Sequence, residues 1–154
     1  VAVVSIFVDA SHCPKTKLAA YAFQVRGSGQ PIYGCSDIPG LCESSNTAEL
    51  SGLYAAVATA REYGLLTDGC KLFVYTDSQF VIDRVWRDKG KNSATQKKLA
   101  DGIKAMFNTH RLDTRYKHIR GHSRVLGPFT GAMRHCDTLA RQRLNRSRDL
   151  LRGQ

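Results

Sequence analysis

The sequence predicts an α/β protein: a five-stranded mixed sheet flanked by helices, in the order βββαβααβα. Three observations lead there. Residues 1–8 (VAVVSIFV) are almost wholly apolar and rich in β-branched side chains, the composition of a strand buried on both faces. From Asn46 the hydrophobic period turns helical, with Leu50, Leu53, Tyr54, Val57 and Ala58 recurring at helical spacing. Beyond that helix, strand-like and helix-like stretches alternate, which builds a mixed sheet with helices on its faces.

The first strand closes on Asp9, and a polar turn with Pro14 fills residues 11–17. Residues 18–25 (LAAYAFQV) read as the second strand, 26–31 (RGSGQP) as a Gly-rich hairpin connection, and 32–36 as a short third strand. Strands joined by such short turns are expected to lie antiparallel. The helix from Asn46 stops at Gly64. Residues 71–76 (KLFVYT) give a fourth strand, again ending on an acid, Asp77. Val81, Ile82, Val85 and Trp86 mark a short helix, and a basic loop follows over 87–92. Leu99, Ile103, Met106 and Phe107 place a helix over about 95–108, and 112–119 reads as the fifth strand. A long loop over 121–131, with Pro128, precedes an Arg-rich helix beginning near His135.

With 154 residues the chain is expected to be a single domain, 1–154, able to bury a core without disulfides or metal staples. Twenty-three Lys and Arg against 13 Asp and Glu give a net charge of +10, which points to a polyanionic partner, nucleic acid or an anionic membrane surface. Cys13, Cys35, Cys42, Cys70 and Cys136 are odd in number and form no C-x-x-C pair, so free thiols in a reducing compartment are expected. No run reaches the ~18 apolar residues of a membrane span, and the N-terminal run lacks the pattern of a signal peptide. A soluble, cytoplasmic protein is the expectation, and the missing initiator Met is read as processing or a fragment of something longer.

Four carboxylates stand where elements begin or end. Asp9 ends the first strand, Glu49 falls in the first turn of the first helix, Asp77 ends the fourth strand, and Asp137 falls in the first turn of the last helix. Singly, each has an ordinary structural reading. Asp9 suits a turn. Asn46-Thr47-Ala48-Glu49 fits a capping box, Asp77 suits an N-cap, and Asp137 suits the positive end of a helix dipole. Together they can meet at one edge of an α/β sheet. Like charges so gathered repel, and a divalent cation relieves them; an all-oxygen ligand set suits Mg²⁺ or Mn²⁺. A basic protein with such an acidic pocket is arranged for phosphodiester chemistry.

Five segments carry a family resemblance: Phe7-Val8-Asp9-Ala10-Ser11, Asn46-Thr47-Ala48-Glu49-Leu50, Tyr75-Thr76-Asp77-Ser78-Gln79, Arg120-Gly121-His122 and Cys136-Asp137-Thr138-Leu139-Ala140. In this order they resemble the motifs of type 1 ribonuclease H, over about residues 3–145, and the element order agrees with the ribonuclease H-like fold. The resemblance implies hydrolysis of the RNA strand of RNA–DNA hybrids, with 5′-phosphate and 3′-hydroxyl products and two Mg²⁺ ions, Mn²⁺ substituting. Asp9, Glu49, Asp77 and Asp137 become metal ligands, with Asp9 bridging. His122 matches a mobile histidine that assists proton traffic or product release. Asn46 and Gln79 match contacts to the hybrid minor groove, where the 2′-hydroxyl marks RNA. Ser11, Thr47 and Ser45 are weaker candidates for contact with the hybrid.

The chain also departs from the family pattern. Many cellular members insert a Trp-rich basic helix that grips the hybrid. Here residues 84–98 offer six basic side chains against the single acid Asp88, and no tryptophan beyond Trp86. That is closer to the retroviral members. Grip is assigned to Lys89, Lys91, Lys97 and Lys98, and either shared with Arg141, Arg143, Arg146, Arg148 and Arg152 or left to the lysines over a solvated helix face. The stretch from His122 to Asp137 is longer than usual and contains Arg124-Val125-Leu126-Gly127-Pro128-Phe129. A monomeric domain, alone or within a larger polyprotein, is expected. Two other functions compete: a nuclease of the same fold acting on DNA, as resolvases and exonucleases do, and a non-catalytic module that binds hybrids.

Overall fold

The computed structural model describes residues 2–119 and 130–152. Its elements run β1 (Val3–His12), β2 (Ala19–Arg26), β3 (Ile32–Asp37), α1 (Ser45–Glu62), β4 (Lys71–Thr76), α2 (Gln79–Val85), α3 (Ala94–Thr109), β5 (Asp113–His118) and α4 (Thr130–Arg152). This is the order the sequence predicts. The sheet order is β3-β2-β1-β4-β5. The first three strands pair antiparallel, whereas β1–β4 and β4–β5 pair parallel, so the sheet is mixed. No helix among the described residues is long and apolar enough to cross a membrane.

Alternation along β1 sorts the core into two sides. Val4, Ile6 and Val8 join Leu50, Leu53 and Val57 of α1 and Ile103 of α3 in the larger cluster. Phe7 joins Tyr75 of β4 and Ala132, Met133, Cys136 and Ala140 of α4 in a second cluster. Successive side chains of a strand face opposite ways, so α1 and α4 cover opposite faces. Each fully buried large apolar side chain contributes roughly 1.5–3 kcal/mol of transfer free energy. That is why a central strand apolar on both sides organises the chain.

Two boundaries differ from expectation for physical reasons. β1 does not close at Asp9. Its parallel ladder with β4 ends at Phe7↔Tyr75, but pairing with β2 continues to His12↔Ala19. Polar Ser11 and His12 stay in the strand because a ladder needs only backbone groups. The last helix begins at Thr130 rather than near His135, and Gly131 lies inside it. A helical glycine costs about 1 kcal/mol, and burial of Ala132 and Met133 outweighs it. Most of the loop expected over 121–131, including His122 and the 124–129 stretch, lies outside the described residues.

The start of α1 also departs from the sequence reading. Ser44 is the N-cap, its hydroxyl accepting from the Thr47 amide at 3.3 Å. Asn46 lies inside the helix, so the expected Asn46–Glu49 capping box does not form and Glu49 is released for other contacts. The stop is as expected, with Gly64 at φ +72° just past the end.

α1 approaches the sheet closely at Gly52. A Cβ there would lie 2.8 Å from Val8 Cγ2 and 3.0 Å from Tyr21 Cβ. Gly52→Ala is expected to destabilise the fold by about 1–3 kcal/mol through overpacking, despite alanine's better helix propensity. Denaturant unfolding of the two proteins checks this.

Candidate active site

Phe7 and Tyr75 are register partners, and their rings stack at 4.6 Å between centroids with 8° between planes. Two residues further along stand Asp9, which strand alternation puts on the same side of β1 as Phe7, and Asp77, just past the end of β4. Glu49 arrives from α1, on the opposite side of the sheet. The backbone amide of Ala10 donates to Asp9 Oδ1 at 2.9 Å and to Glu49 Oε1 at 3.2 Å. Asp9, Glu49 and Asp77 each bring an oxygen within 4.8 Å of the others.

Burial makes this cluster energetically costly. Asp9 and Glu49 are only 6% and 8% exposed. Desolvation, with the charges of Asp77 and Asp137 adding to it, pushes the Asp9 carboxyl up to about 7, against the pull of the Ala10 amide. Desolvation, then the charges of Asp9 and Asp77, holds Glu49 well above the usual carboxylate range. Glu49 Oε2 is buried without a hydrogen-bond partner. An orphaned carboxylate oxygen beside two further carboxylates fits a hard divalent cation, which supplies both the missing partner and the missing positive charge.

Asp137 stands apart from the tight trio. It lies roughly two turns inside α4 rather than in its first turn, too deep for the helix-dipole reading. Arg141 Nε holds its Oδ1 at 3.0 Å, while its charge still reaches Asp9. The neighbouring Cys136 anchors the helix, its buried thiol donating to the Phe7 carbonyl at 3.6 Å. Burial, then the Asp9 charge, pushes that thiol up to about 12, so it remains a protonated donor.

The nucleic-acid candidates fall into separate groups. Ser11 lies on β1 opposite Ala20, and Ser45 and Asn46 open α1. Thr47 is buried, its hydroxyl donating to Glu43 at 3.0 Å and accepting from Gln96 at 3.1 Å. Gln79 opens α2 exposed, its amide donating to Asp83 at 2.9 Å. Asp77 does not cap α2; Ser78 does, accepting from the Val81 amide. Lys89 and Lys91 are exposed on a loop whose carbonyls at both residues accept from the Arg84 guanidinium. Lys97 and Lys98 are exposed in the first turn of α3, with Lys97 paired to Asp101 at 2.8 Å. His122 lies outside the described residues.

Sequence reasoning missed several residues that shape this end of the sheet. The His118 ring donates to the Asp77 carbonyl at 2.9 Å, Glu43 accepts from Ser93 and Thr47, and Gln96 bonds Ser93 and Thr47. Only the Ser93-to-Gln96 spacing carried a signal, that of a capping box, and the structure forms it.

These features define an α/β protein with a carboxylate-lined site at one end of its sheet. The profile of the RNase H family matches residues 2–145, and the chain belongs to that family of nucleases. No curated protein sequence matches it significantly. Among solved structures, it is similar to the N-terminal RNase H domain of Rv2228c from Mycobacterium tuberculosis (TM-score 0.73, 17% identity, covering 98% of this chain and 99% of that one). RNase H1 from the halophilic archaeon Halobacterium salinarum NRC-1 gives a TM-score of 0.69 at 20% identity, covering 93% and 98%. LC11-RNase H1, solved in complex with an RNA/DNA hybrid, gives 0.68 at 15% identity, covering 94% and 98%.

The raised Asp9 carboxyl has a signed consequence. Unfolded, it ionises near 3.8, and folded near 7, so between these values the folded chain holds more protons. Cation-free stability therefore falls as pH rises through that window. In chelator, the melting temperature is expected to be several degrees lower at about pH 8 than at about pH 5, and Mg²⁺ should raise it more at the higher pH. Asp9→Asn should flatten both effects. Thermal unfolding with chelator or Mg²⁺ measures them.

Proposed function

We propose that this chain is an endoribonuclease that hydrolyses the RNA strand of RNA–DNA hybrids, leaving 5′-phosphate and 3′-hydroxyl ends, with two Mg²⁺ ions that Mn²⁺ can replace. The reading takes residues 1–154 as one domain acting as a monomer in the cytoplasm. The observation that carries it is the close trio of buried Asp9, buried Glu49 and half-buried Asp77, with an orphaned Glu49 oxygen, in a member of the RNase H family. The likeness to a protein solved with an RNA/DNA hybrid supports the choice of substrate.

Asp9, Glu49, Asp77 and Asp137 are the residues that would hold the metal, Asp9 from the central strand. Bound there, Mg²⁺ supplies Lewis acidity that activates water and stabilises the leaving oxygen. The chain's own residues do the rest. The Ala10 amide fixes one oxygen each of Asp9 and Glu49. His118 holds the carbonyl of Asp77, and Arg141 orients Asp137. Asn46 and Gln79 read the 2′-hydroxyl side of the hybrid, with Ser11 at its margin. His122 moves protons or admits the release of product. Lys89, Lys91, Lys97 and Lys98 bind phosphates, and the exposed Arg141 and Arg146 on α4 extend the positive surface.

Two experiments test this reading. Labelled hybrid, RNA duplex, DNA duplex and single strands are incubated with the protein in Mg²⁺ or in chelator. Only the hybrid's RNA strand should be cut, and only with metal; cleavage of DNA would favour the resolvase or exonuclease type, and binding without cutting a non-catalytic module. Asp77→Asn should cut about 10²–10³-fold more slowly while still binding hybrid, the rate equivalent of several kcal/mol of lost charge stabilisation.

The second experiment concerns grip. Replacing Lys89, Lys91, Lys97 and Lys98 with Ala should weaken hybrid binding and flatten its salt dependence by about 0.9 per lost phosphate contact, on the B-DNA scale. Preference for hybrid over DNA duplex should persist. Affinities at several salt concentrations decide it, and an unchanged slope would move the backbone contacts to α4.

A further inference from the structure

Between the first turns of α1 and α3 lies a polar network that the chemistry above leaves unused. Glu43, in the segment before α1, accepts through one oxygen from the Ser93 hydroxyl at 2.6 Å and the Thr47 hydroxyl at 3.0 Å. Ser93 is the N-cap of α3, and Thr47 lies in the first turn of α1. Gln96 closes the circuit: its Nε2 donates to Thr47 Oγ1 at 3.1 Å, and its Oε1 accepts from the Ser93 amide at 3.0 Å. Thr47 and Gln96 are both buried. The two hydrogen bonds, Ser93 first, hold the Glu43 carboxyl below its usual range, the sign of an acceptor satisfied as an anion.

Elsewhere α1 and α3 meet through apolar packing, Leu53 and Val57 against Ile103 and Met106. Such packing is non-directional and resists sliding weakly, whereas hydrogen bonds to a charged acceptor fix both distance and angle. The network sits beside the functional residues that each helix carries. α1 carries Asn46 and Glu49 within one turn of Thr47, and α3 carries Lys97 and Lys98 directly after Gln96.

We infer that Glu43 and Gln96 are positioning residues that fix the spacing between the basic segment gripping the nucleic-acid backbone and the carboxylates that cut it. This rests on the hybrid-cleaving reading and adds to it a fixed interval from gripped phosphate to scissile bond. Breaking the joint leaves each half intact but lets one drift against the other. Misplacement on the order of 1 Å costs up to ~10²-fold in turnover.

The test compares Glu43→Ala, Gln96→Met and the conservative Glu43→Gln, which keeps an acceptor oxygen, on a hybrid of defined sequence in Mg²⁺. Glu43 is exposed and Gln96→Met preserves volume, so both chains should fold; thermal unfolding checks this. Glu43→Ala and Gln96→Met should lower kcat about 10- to 100-fold with KM within about twofold, and should scatter the cut positions over neighbouring nucleotides. Glu43→Gln should restore a single dominant cut. Unchanged kcat and cut positions in both variants would overturn the inference. So would a kcat loss that merely tracks lowered melting temperature, or a rise in KM alone, which would make the network part of the grip. If wild type cuts no hybrid, the functional reading fails instead.

Discussion

The amide of Ala10 donates to both Asp9 and Glu49, and the architecture around it follows from keeping those two carboxylates together under burial. Ala10 can serve both because β1 runs past its parallel ladder with β4 and stays paired to β2, which holds the backbone rigid at the point of donation. One amide cannot offset two desolvated charges, and Asp77 adds a third. The chain tolerates this because the Phe7–Tyr75 stack and both apolar clusters lie beneath it, supplying stability the site itself consumes. Polar residues forced into such company are a functional signature, since a fold selected only for stability would replace them.

Residues from both faces of the sheet meet here. Glu49 comes from the α1 side, whereas Asp137 comes from the α4 side, secured by the Cys136 thiol on the Phe7 carbonyl. The inner trio is close enough to share one ion, and Asp137 stands further out with Arg141 on it. Asp137 is therefore tied to α4 through Arg141, while Asp9 and Glu49 are tied together through the Ala10 amide.

Much of this was legible in the sequence because strand parity and element ends are local facts. The apolar run before Asp9, the short strand before Asp77 and the helical period around Glu49 suffice to bring three acids to one edge. What stayed hidden depends on contacts distant in sequence. The extension of β1 through Ser11 and His12 is decided by β2, and the early start of α4 by burial of Ala132 and Met133. Asn46 resembles an N-cap as well as Ser44 does, and only the packed helix shows that the Ser44 hydroxyl accepts from the Thr47 amide. Thr47 reads as a surface residue of a nucleic-acid motif, yet Gln96, 49 residues away, covers it.

The order in which the four acids leave the ribosome follows from the placement of Asp137. Asp9, Glu49 and Asp77 lie on the sheet and α1, all of which emerge before α4. Domains form from their N-terminal parts as synthesis proceeds. A nascent chain with the sheet assembled therefore has three acids in place but no fourth, and the α4 face of Phe7 and Tyr75 is still bare. Docking of the last helix covers that apolar face and completes the site in one event. Until α4 docks, the chain holds three of the four acids and leaves that apolar face uncovered.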